Sequence, residues 1–288
     1  MDRIVKFTKL HGLGNDYIYI SNLNQDNDFV SPEEIDFAEM AKLICPRRTG
    51  IGSDGLILIQ PSDIAEFQMR IFNPDGSEAE MCGNGIRGLA RYVYDHGLIK
   101  SRSFKVETKA GVKTVEIVGE GLVKVDLGEP VFDCRSIPVK ANKERFINEP
   151  INVAGRDLRI TCVSMGNPHG VIFFDGPITS ETVSRLGPEI ETLDIFPNRL
   201  NAHFVQVMGR KELKVFTWER GAGMTHACGT GAGAVLVAGV LNNYCDRKAT
   251  IHLLGGDLEI EWSETNHIYM TGPAVEVYSG HFTWSRGH

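Results

Sequence analysis

The sequence predicts an α+β fold of two similar domains, and three observations support this prediction. The chain has 288 residues, a length that favours two cores of moderate size over one large core. Short β-branched segments alternate with a few segments of helical periodicity. The stretches MCGNGIRGLARYV (81–93) and ACGTGAGAVLVAG (227–239) each place a cysteine ahead of two glycines and an apolar run. We therefore expect one such stretch in each domain.

Six segments in the first half of the chain are rich in β-branched residues, which predicts strands. They are 5–10, 16–21, 56–60, 104–109, 113–118 and 123–127. The first two flank the glycine turn HGLGN at 11–15.

Three helices are predicted. The first spans 32–44, where Ser31 can cap the helix and Pro32 suits its first turn. The second follows Cys82, with apolar residues at helical spacing and Gly97 as a stop. The third follows Cys228 and is apolar nearly all round, which is typical of a helix enclosed by a sheet.

The two cysteines belong to a longer internal repeat. A turn glycine follows each cysteine by 29 and 28 residues, and a Gly-Asn pair that leads into an apolar strand precedes each one. These residues are Gly111, Gly256, Gly14-Asn15 and Gly166-Asn167. Because accidental motifs do not stay in register with their surroundings, we interpret the pattern as a duplication.

The duplication predicts two domains related by a pseudo-two-fold axis, with the two cysteines facing each other across a cleft. We expect the first domain to comprise 1–130 together with the terminal strand 274–288, and the second to comprise 131–273. On this symmetry the segment 131–139 is the counterpart of the terminal strand.

Composition excludes several classes of partner. The net charge of −7 and the lack of a basic run longer than Arg47-Arg48 argue against nucleic-acid binding. No stretch approaches the ~20 apolar residues that cross a bilayer, and the N-terminal sequence lacks the apolar core of a signal peptide. Six cysteines without a CxxC motif are typical of a reducing compartment. We expect a cytoplasmic protein with a small-molecule partner and no membrane association.

Two matched thiols suit one kind of chemistry in particular. Inverting a tetrahedral carbon that bears hydrogen requires a base on one face and an acid on the other. A thiol with a pKa of about 8.5 is mostly protonated at pH 7, and a helix N-terminus lowers that value. The amides of a Cys-Gly-x-Gly turn can also bind a carboxylate and the charge that develops on it.

Eight ordered motifs together resemble the diaminopimelate epimerase family. They are HGLGNDY (11–17), IFNPDGSE (71–78), CGNGIR (82–87), SMGNPH (164–169), LNAHF (200–204), ERGAG (219–223), ACGTGA (227–232) and YMTGPA (269–274). The resemblance runs from the first strand to the end of the chain. It implies two domains, each a curved mixed sheet around a central helix. It also implies interconversion of LL- and meso-diaminopimelate without a cofactor.

The resemblance also implies roles for individual residues. Cys82 would be the proton donor and Cys228 the acceptor, and these roles reverse with the direction of the reaction. His169 and Glu219 would adjust the thiol pKa values, and Tyr278 matches a tyrosine associated with homodimer formation. The implied substrate-binding residues are Asn15, Asn73, Gly83, Asn84, Asn167, Asn201, Glu219, Arg220, Gly229 and Thr230. At Gly55 the chain departs from members that have a substrate-contacting glutamine, so position 55 is left out of the site.

Other interpretations remain open at this level. A racemase of the same superfamily that acts on histidine or proline would share the cysteines, although Arg220 and the set of asparagines favour a longer dicarboxylic substrate. A non-catalytic amino-acid-binding protein, or an isomerase that uses other residues of the same cleft, would not depend on both thiols. His226 near Cys228 lacks a second ligand cluster of useful spacing, so neither a metal site nor a Cys-His hydrolase is expected. The four other cysteines are expected to be core residues.

Overall fold

The computed structural model describes residues 3–23 and 35–285. The chain divides into two compact units, Met1–Val125 with Gly272–His288 (unit 1) and Asp126–Thr271 (unit 2). No helix within the described residues is long and apolar enough to cross a membrane.

The secondary structure alternates strands with four helices in the described residues. The first half contains β1 (Arg3–Gly12), β2 (Asn15–Ser21), α1 (Phe37–Ile44), β3 (Gly55–Gln60), β4 (Phe67–Phe72), β5 (Glu78–Ala79), α2 (Gly83–Asp95), β6 (Ser103–Thr108), β7 (Gly111–Ile117) and β8 (Leu122–Gly128). The second half contains β9 (Glu149–Val153), β10 (Arg156–Ser164), β11 (Pro168–Phe174), α3 (Ser180–Glu191), β12 (Asn201–Gly209), β13 (Glu212–Glu219), β14 (Gly223–Thr225), α4 (Gly229–Leu241), β15 (Lys248–Leu253), β16 (Gly256–Trp262), β17 (Ile268–Pro273) and β18 (Val275–Trp284).

Both units have a mixed sheet with the same pattern of pairing. In unit 1 the strands neighbour one another in the order β18, β1, β2, β3, β4, β6, β7 and β8. In unit 2 the order is β9, β10, β11, β12, β13, β15, β16 and β17. The parallel pairs also correspond, with β2–β3 and β4–β6 matching β11–β12 and β13–β15.

Each sheet is covered by helices on both faces, which explains why its inner strands are apolar throughout. In β3, Leu56 and Leu58 pack with α1, while the Cδ1 atom of Ile57 approaches the first turn of α2. In β12, Ala202 and Phe204 pack in the cluster that contains α3, while His203 faces α4. Because side chains alternate along a strand, every second residue of these strands lies next to α2 or α4.

The structure confirms most of the predicted elements. All six predicted strands are present, and α2 and α4 begin directly after Cys82 and Cys228. Helix α4 contacts β10, β11, β12, β15 and β16, in agreement with its apolar sequence. Helix α3, which has Pro188 inside it and Thr179 as its N-cap, was not predicted.

Two predictions need correction. The first helix begins at Phe37 rather than at 32, because the Asp36 side chain accepts hydrogen bonds from the amides of Ala38 and Glu39. The predicted cap Ser31 and Pro32 lie outside the described residues. The segment 131–139, predicted to be the counterpart of the terminal strand, forms turns and isolated bridges. The strand of unit 2 that corresponds to β18 of unit 1 is β9, which pairs with β10 as β18 pairs with β1.

Candidate active site

Cys82 is the N-cap of α2, the helix that packs against the unit 1 sheet. Its backbone is extended, and its sulfur accepts a hydrogen bond from the amide of Gly85 at 3.4 Å. The amides of Gly83 and Asn84 belong to the first turn, whose N–H groups have no acceptor within the helix. The thiol therefore lies beside the positive end of the helix dipole, where anions are stabilised.

Two side chains of unit 1 contact this thiol. The Tyr17 hydroxyl donates to Cys82 Sγ at 3.3 Å, and the Cys82 thiol donates to Asn15 Oδ1 at 3.6 Å. The Asn84 amide donates to Asn15 Oδ1 at 3.0 Å. The structure thus joins Asn15, Cys82 and Asn84, which the sequence predicted to be site residues, and adds Tyr17.

Asn15 is held by a network of charged residues behind it. Its Nδ2 donates to Asp54 Oδ2 at 2.8 Å, and Arg47 bridges Asp54 and Asp16. Burial alone would raise the pKa of Asp16, but the hydrogen bonds and charges of Arg47 and Lys9 outweigh burial and lower it to about 2. Asp16 therefore remains ionised, and the network fixes the orientation of the Asn15 amide.

Arg87, in the second turn of α2, is fully buried. Its guanidinium donates to the carbonyl oxygens of Gly83 and Pro273 and to Asn84 Oδ1, at 3.2, 3.2 and 2.9 Å. Burial lowers the pKa of Arg87 to about 10, which leaves it protonated at neutral pH. From the sequence, this arginine within CGNGIR had no predicted role, because hydropathy places arginine at the surface.

Cys228 is the N-cap of α4 and occupies the corresponding place in unit 2. Its sulfur lies 3.7 Å from Thr230 Oγ1, and the amides of Gly229 and Thr230 form the first turn. Glu219 hydrogen-bonds with the Cys228 side chain and accepts a hydrogen bond from Thr225 Oγ1 at 2.5 Å. Burial raises the pKa of Glu219 above its usual value, and these hydrogen bonds only partly offset the effect.

A buried pair of histidines lies next to this helix. His169 Nδ1 is 2.9 Å from His203 Nε2, and His169 Nε2 is 2.8 Å from Asn167 Oδ1. His203 Nδ1 is 3.1 Å from Thr217 Oγ1. Burial lowers the pKa of His169 well below 6.5 and that of His203 to about 3, so both rings are neutral.

Neutrality fixes the direction of every hydrogen bond in this chain. Asn167 Oδ1 only accepts, so His169 Nε2 carries the hydrogen and His169 Nδ1 accepts from His203 Nε2. His203 Nδ1 then accepts from the Thr217 hydroxyl. From the sequence, His203 within LNAHF had no predicted role, because its position on an apolar strand gives no signal of its buried polar partner.

Asn201 and Arg220 interact at the start of β12. The Asn201 side chain accepts from the Arg220 amide at 2.9 Å and donates to the Pro168 carbonyl at 3.1 Å. The Arg220 guanidinium donates to the Asn198 carbonyl at 3.0 Å. The parallel register of β11 and β12 pairs Asn201 with His169, so these predicted site residues lie together in unit 2.

The remaining predicted residues of unit 1 lie elsewhere in that unit. Asn73 opens the turn between β4 and β5, and its Nδ2 donates to Ser77 Oγ at 2.9 Å. Tyr278 lies on β18 with 43% of its surface exposed and packs edge-on against the Phe7 ring.

Position 55, which is left out of the predicted site, has no room for a side chain. An added Cβ at Gly55 would lie 2.9 Å from the Tyr17 ring and 2.8 Å from the Phe72 carbonyl oxygen, so the residue present here is glycine for steric reasons.

The other four cysteines are buried core residues, as predicted. Burial raises the pKa values of Cys45, Cys134 and Cys162, and that of Cys245 to about 11. They are therefore protonated and unreactive at neutral pH. Among the described residues, no group of three or more His, Cys, Asp or Glu side chains is placed to hold a metal ion.

Comparison with known proteins gives a consistent family. The family model described as diaminopimelate epimerase matches residues 7–132 and 161–277. A protein of Acetivibrio thermocellus named diaminopimelate epimerase is 52% identical over 281 residues, covering 96% of this chain and 98% of its own. A protein of the same name from Methanococcus maripaludis is 49% identical, covering 96% and 99%.

Solved structures with little sequence identity share the fold. A hydroxyproline epimerase of Agrobacterium vitis, solved with trans-4-hydroxy-L-proline, matches with a TM-score of 0.69 at 12% identity, covering 99% of this chain and 93% of its own. A phenazine biosynthesis protein of the PhzF family from Bacillus anthracis matches with a TM-score of 0.66 at 17% identity, covering 97% and 99%. At such identities the likeness concerns the fold alone, and it confirms the predicted α+β class with two pseudo-symmetric domains.

Proposed function

The chain belongs to the diaminopimelate epimerase family, and from that membership we propose that it interconverts LL- and meso-2,6-diaminopimelate. It is an isomerase of the amino-acid epimerase class. The observation that carries the proposal is that each unit caps its central helix with a cysteine, at matched places in the repeat. We further propose that the two units are the two epimerase repeats.

The reaction requires one thiolate and one thiol. The thiolate removes the α-hydrogen as a proton, and the electron pair of the broken C–H bond is delocalised into the adjacent carboxylate. The thiol then gives its proton to the opposite face of the same carbon. The two cysteines finish with their protonation states exchanged, so the proton count balances and no cofactor is consumed. Cys82 donates and Cys228 accepts in one direction, and the roles reverse in the other.

The first turns of α2 and α4 suit the carboxylate of the reacting carbon. The amides of Gly83 and Asn84, and of Gly229 and Thr230, would donate to it as negative charge develops. Arg220 is the natural partner of the second carboxylate, since its guanidinium can bind a carboxylate through two parallel hydrogen bonds. Asn15, Asn73, Asn167, Asn201 and Glu219 would complete the binding of the distal amino-acid end.

Glu219 and His169 would adjust the protonation of the Cys228 side of the site. Glu219 hydrogen-bonds with Cys228, and its raised pKa allows it to exchange a proton with a nearby group more readily than an exposed glutamate. His169 is neutral in its buried environment, so it adds no positive charge.

We also propose that the protein forms a homodimer, in which Tyr278 on the exposed strand β18 takes part. We further propose a cytoplasmic location.

Proton NMR in deuterated water tests the function directly. Reduced enzyme without added cofactor should introduce deuterium at one α-position of LL-diaminopimelate and produce the meso isomer. Lysine, histidine and proline are offered in parallel. Cys82→Ala and Cys228→Ala should each abolish exchange, while the core variant Cys45→Ala should retain it. Exchange into histidine or proline alone would contradict the substrate, and turnover in either active-site variant would contradict the two-thiol mechanism.

A further inference from the structure

Tyr17 occupies a special position in the internal repeat. It follows Asn15 by two residues, as His169 follows Asn167 by two residues. Both lie on equivalent strands, β2 and β11, and each faces the central helix of its own unit. Tyr17 is therefore the counterpart in unit 1 of the histidine to which the family resemblance gives a role.

The Tyr17 hydroxyl has one orientation that its surroundings favour. It lies 3.3 Å from Cys82 Sγ as a donor. The tyrosine is buried, and burial together with Cys82 raises the pKa of Tyr17 well above 10. A phenol in this environment keeps its proton and can donate a hydrogen bond to sulfur. The contact therefore favours the negatively charged form of the thiol.

We propose that Tyr17 is a further catalytic residue, whose hydroxyl donates a hydrogen bond to Cys82 Sγ and stabilises the thiolate that removes the α-proton. The inference rests on the proposed function, since it assigns Cys82 as a reacting group. The amide of Gly85 donates to the same sulfur from α2, so the thiolate receives two donors from two elements.

Gly55 makes the contact possible. The parallel register of β2 and β3 pairs Tyr17 with Gly55. An added Cβ there would lie 2.9 Å from Tyr17 Cε1 and 3.2 Å from Cδ1, which is closer than real Cβ contacts. The ring occupies the space that a side chain at position 55 would fill. The Tyr17 ring can therefore take this position only because residue 55 is a glycine.

Other titratable groups lie near this thiol. Arg87 on α2 interacts electrostatically with Cys82, and Asp54 before β3 interacts electrostatically with Tyr17. Burial raises the pKa of Tyr19 on β2 well above 10, so Tyr19 is uncharged. Tyr19 supplies a matched control, because it is a buried tyrosine on the same strand whose hydroxyl donates to the Gly85 carbonyl at 2.9 Å and not to sulfur. Its replacement by phenylalanine removes one buried hydroxyl without removing the contact under test.

The experiment compares full-length Tyr17→Phe and Tyr19→Phe with the unaltered chain. Iodoacetamide alkylation is measured from pH 5 to pH 10, and mass spectrometry of the Cys82 and Cys228 peptides follows each thiol. In Tyr17→Phe the pH midpoint of Cys82 alkylation should rise by roughly one unit, a tenfold loss of thiolate at neutral pH, while Cys228 is unchanged. Tyr19→Phe should shift neither thiol. General unfolding would speed the alkylation of both.

Deuterium exchange supplies the second measurement. In Tyr17→Phe, exchange into LL-diaminopimelate should fall roughly tenfold at pH 7, and the deficit should shrink as the pH rises, with KM little changed. Gly55→Ala should act in the same direction. An unchanged Cys82 midpoint in Tyr17→Phe, or an equal shift in Tyr19→Phe, would overturn the inference. Because alkylation needs no substrate, it still decides the role of Tyr17 toward Cys82 if the unaltered chain exchanges no deuterium.

Discussion

Replacing Gly231 with alanine tests the packing of α4 against the histidine pair. In an ordinary helix this change would stabilise the protein by about 1 kcal/mol. Here the added Cβ would lie 2.2 Å from His203 Cε1, 2.8 Å from His203 Nε2 and 3.0 Å from Cys228 Sγ. Carbon atoms in contact lie about 3.5–4.0 Å apart, so the imidazole ring of His203 must move by more than about 1 Å.

His203 cannot move without breaking hydrogen bonds, because its two ring nitrogens are bonded to His169 and Thr217. Overpacking costs about 1–3 kcal/mol, and a buried polar group left without its partner costs about 1–3 kcal/mol more. After the helical gain is subtracted, Gly231→Ala should lower the free energy of unfolding by about 1–5 kcal/mol. Deuterium exchange should also fall, because Cys228 and the His169–Asn167 contact are both displaced.

Gly233→Ala is the matched control in the same helix. Its nearest contacts, Ile268 Cγ2 at 3.2 Å and Leu127 Cδ1 at 3.3 Å, are methyl groups that need to yield by only a few tenths of an ångström, roughly, so its stability should change by no more than about 1 kcal/mol. Urea unfolding followed by tryptophan fluorescence measures both variants, since Trp218 and Trp262 lie in unit 2. Equal stability of the two variants, or a fully active Gly231→Ala, would refute this account of the site.

Three further predictions concern charge and protonation. Asp16→Asn should lower the free energy of unfolding at pH 7 by about 2–2.5 kcal/mol, because the pKa of Asp16 falls from 3.8 to about 2 on folding and each pKa unit corresponds to about 1.4 kcal/mol. This stabilisation is fully present at pH values above the pKa of Asp16 in the unfolded chain and is lost as the pH falls towards 2. The free energies of unfolding of Asp16→Asn and the unaltered chain, measured by urea titration, should therefore converge at low pH; a constant difference would contradict the lowered pKa of Asp16. Glu219→Gln should reduce deuterium exchange by roughly tenfold or more, yet leave stability at pH 8 equal or higher. A carboxyl with a raised folded pKa opposes folding increasingly as the pH rises through that value, and a marked loss of stability at pH 8 would disprove this sign. Long-range proton–nitrogen NMR should find His169 as the Nε2–H tautomer, because Asn167 Oδ1 accepts from that nitrogen; an Nδ1–H ring in the unaltered chain would reject the hydrogen-bond order.

The strands and central helices were predictable because their signals are local. Alternating β-branched residues indicate strands, and a cysteine followed by glycines and an apolar run indicates the start of a helix. The start of α1 was wrong because Ser31-Pro32 matches a cap pattern as well as Asp36 does, and only the backbone distinguishes them. Helix α3 was missed because Gly187 and Pro188 interrupt its periodicity.

The site was only partly predictable. The two cysteines, Asn15 and Asn167 were predicted because they recur in the repeat, and the other asparagines because they match family motifs. Tyr17, His203 and Arg87 were missed because their polar atoms point at buried partners that are distant in the sequence. On strands with two buried faces, a polar residue and a core residue follow the same alternation, and only the packed helix reveals which hydroxyl reaches a thiol.

The pairing of β18 with β1 has a consequence for synthesis on the ribosome. Arg3 pairs with Trp284, so the sheet of unit 1 joins segments that lie on either side of unit 2 in the sequence. Unit 2 is continuous from Asp126 to Thr271 and can fold as soon as that stretch has emerged. Unit 1 must wait, with the β1 edge unpaired, until β18 is translated. A nascent chain stalled before β18 therefore carries one finished unit and one open sheet, which makes the ten-residue strand β18 the step that completes unit 1.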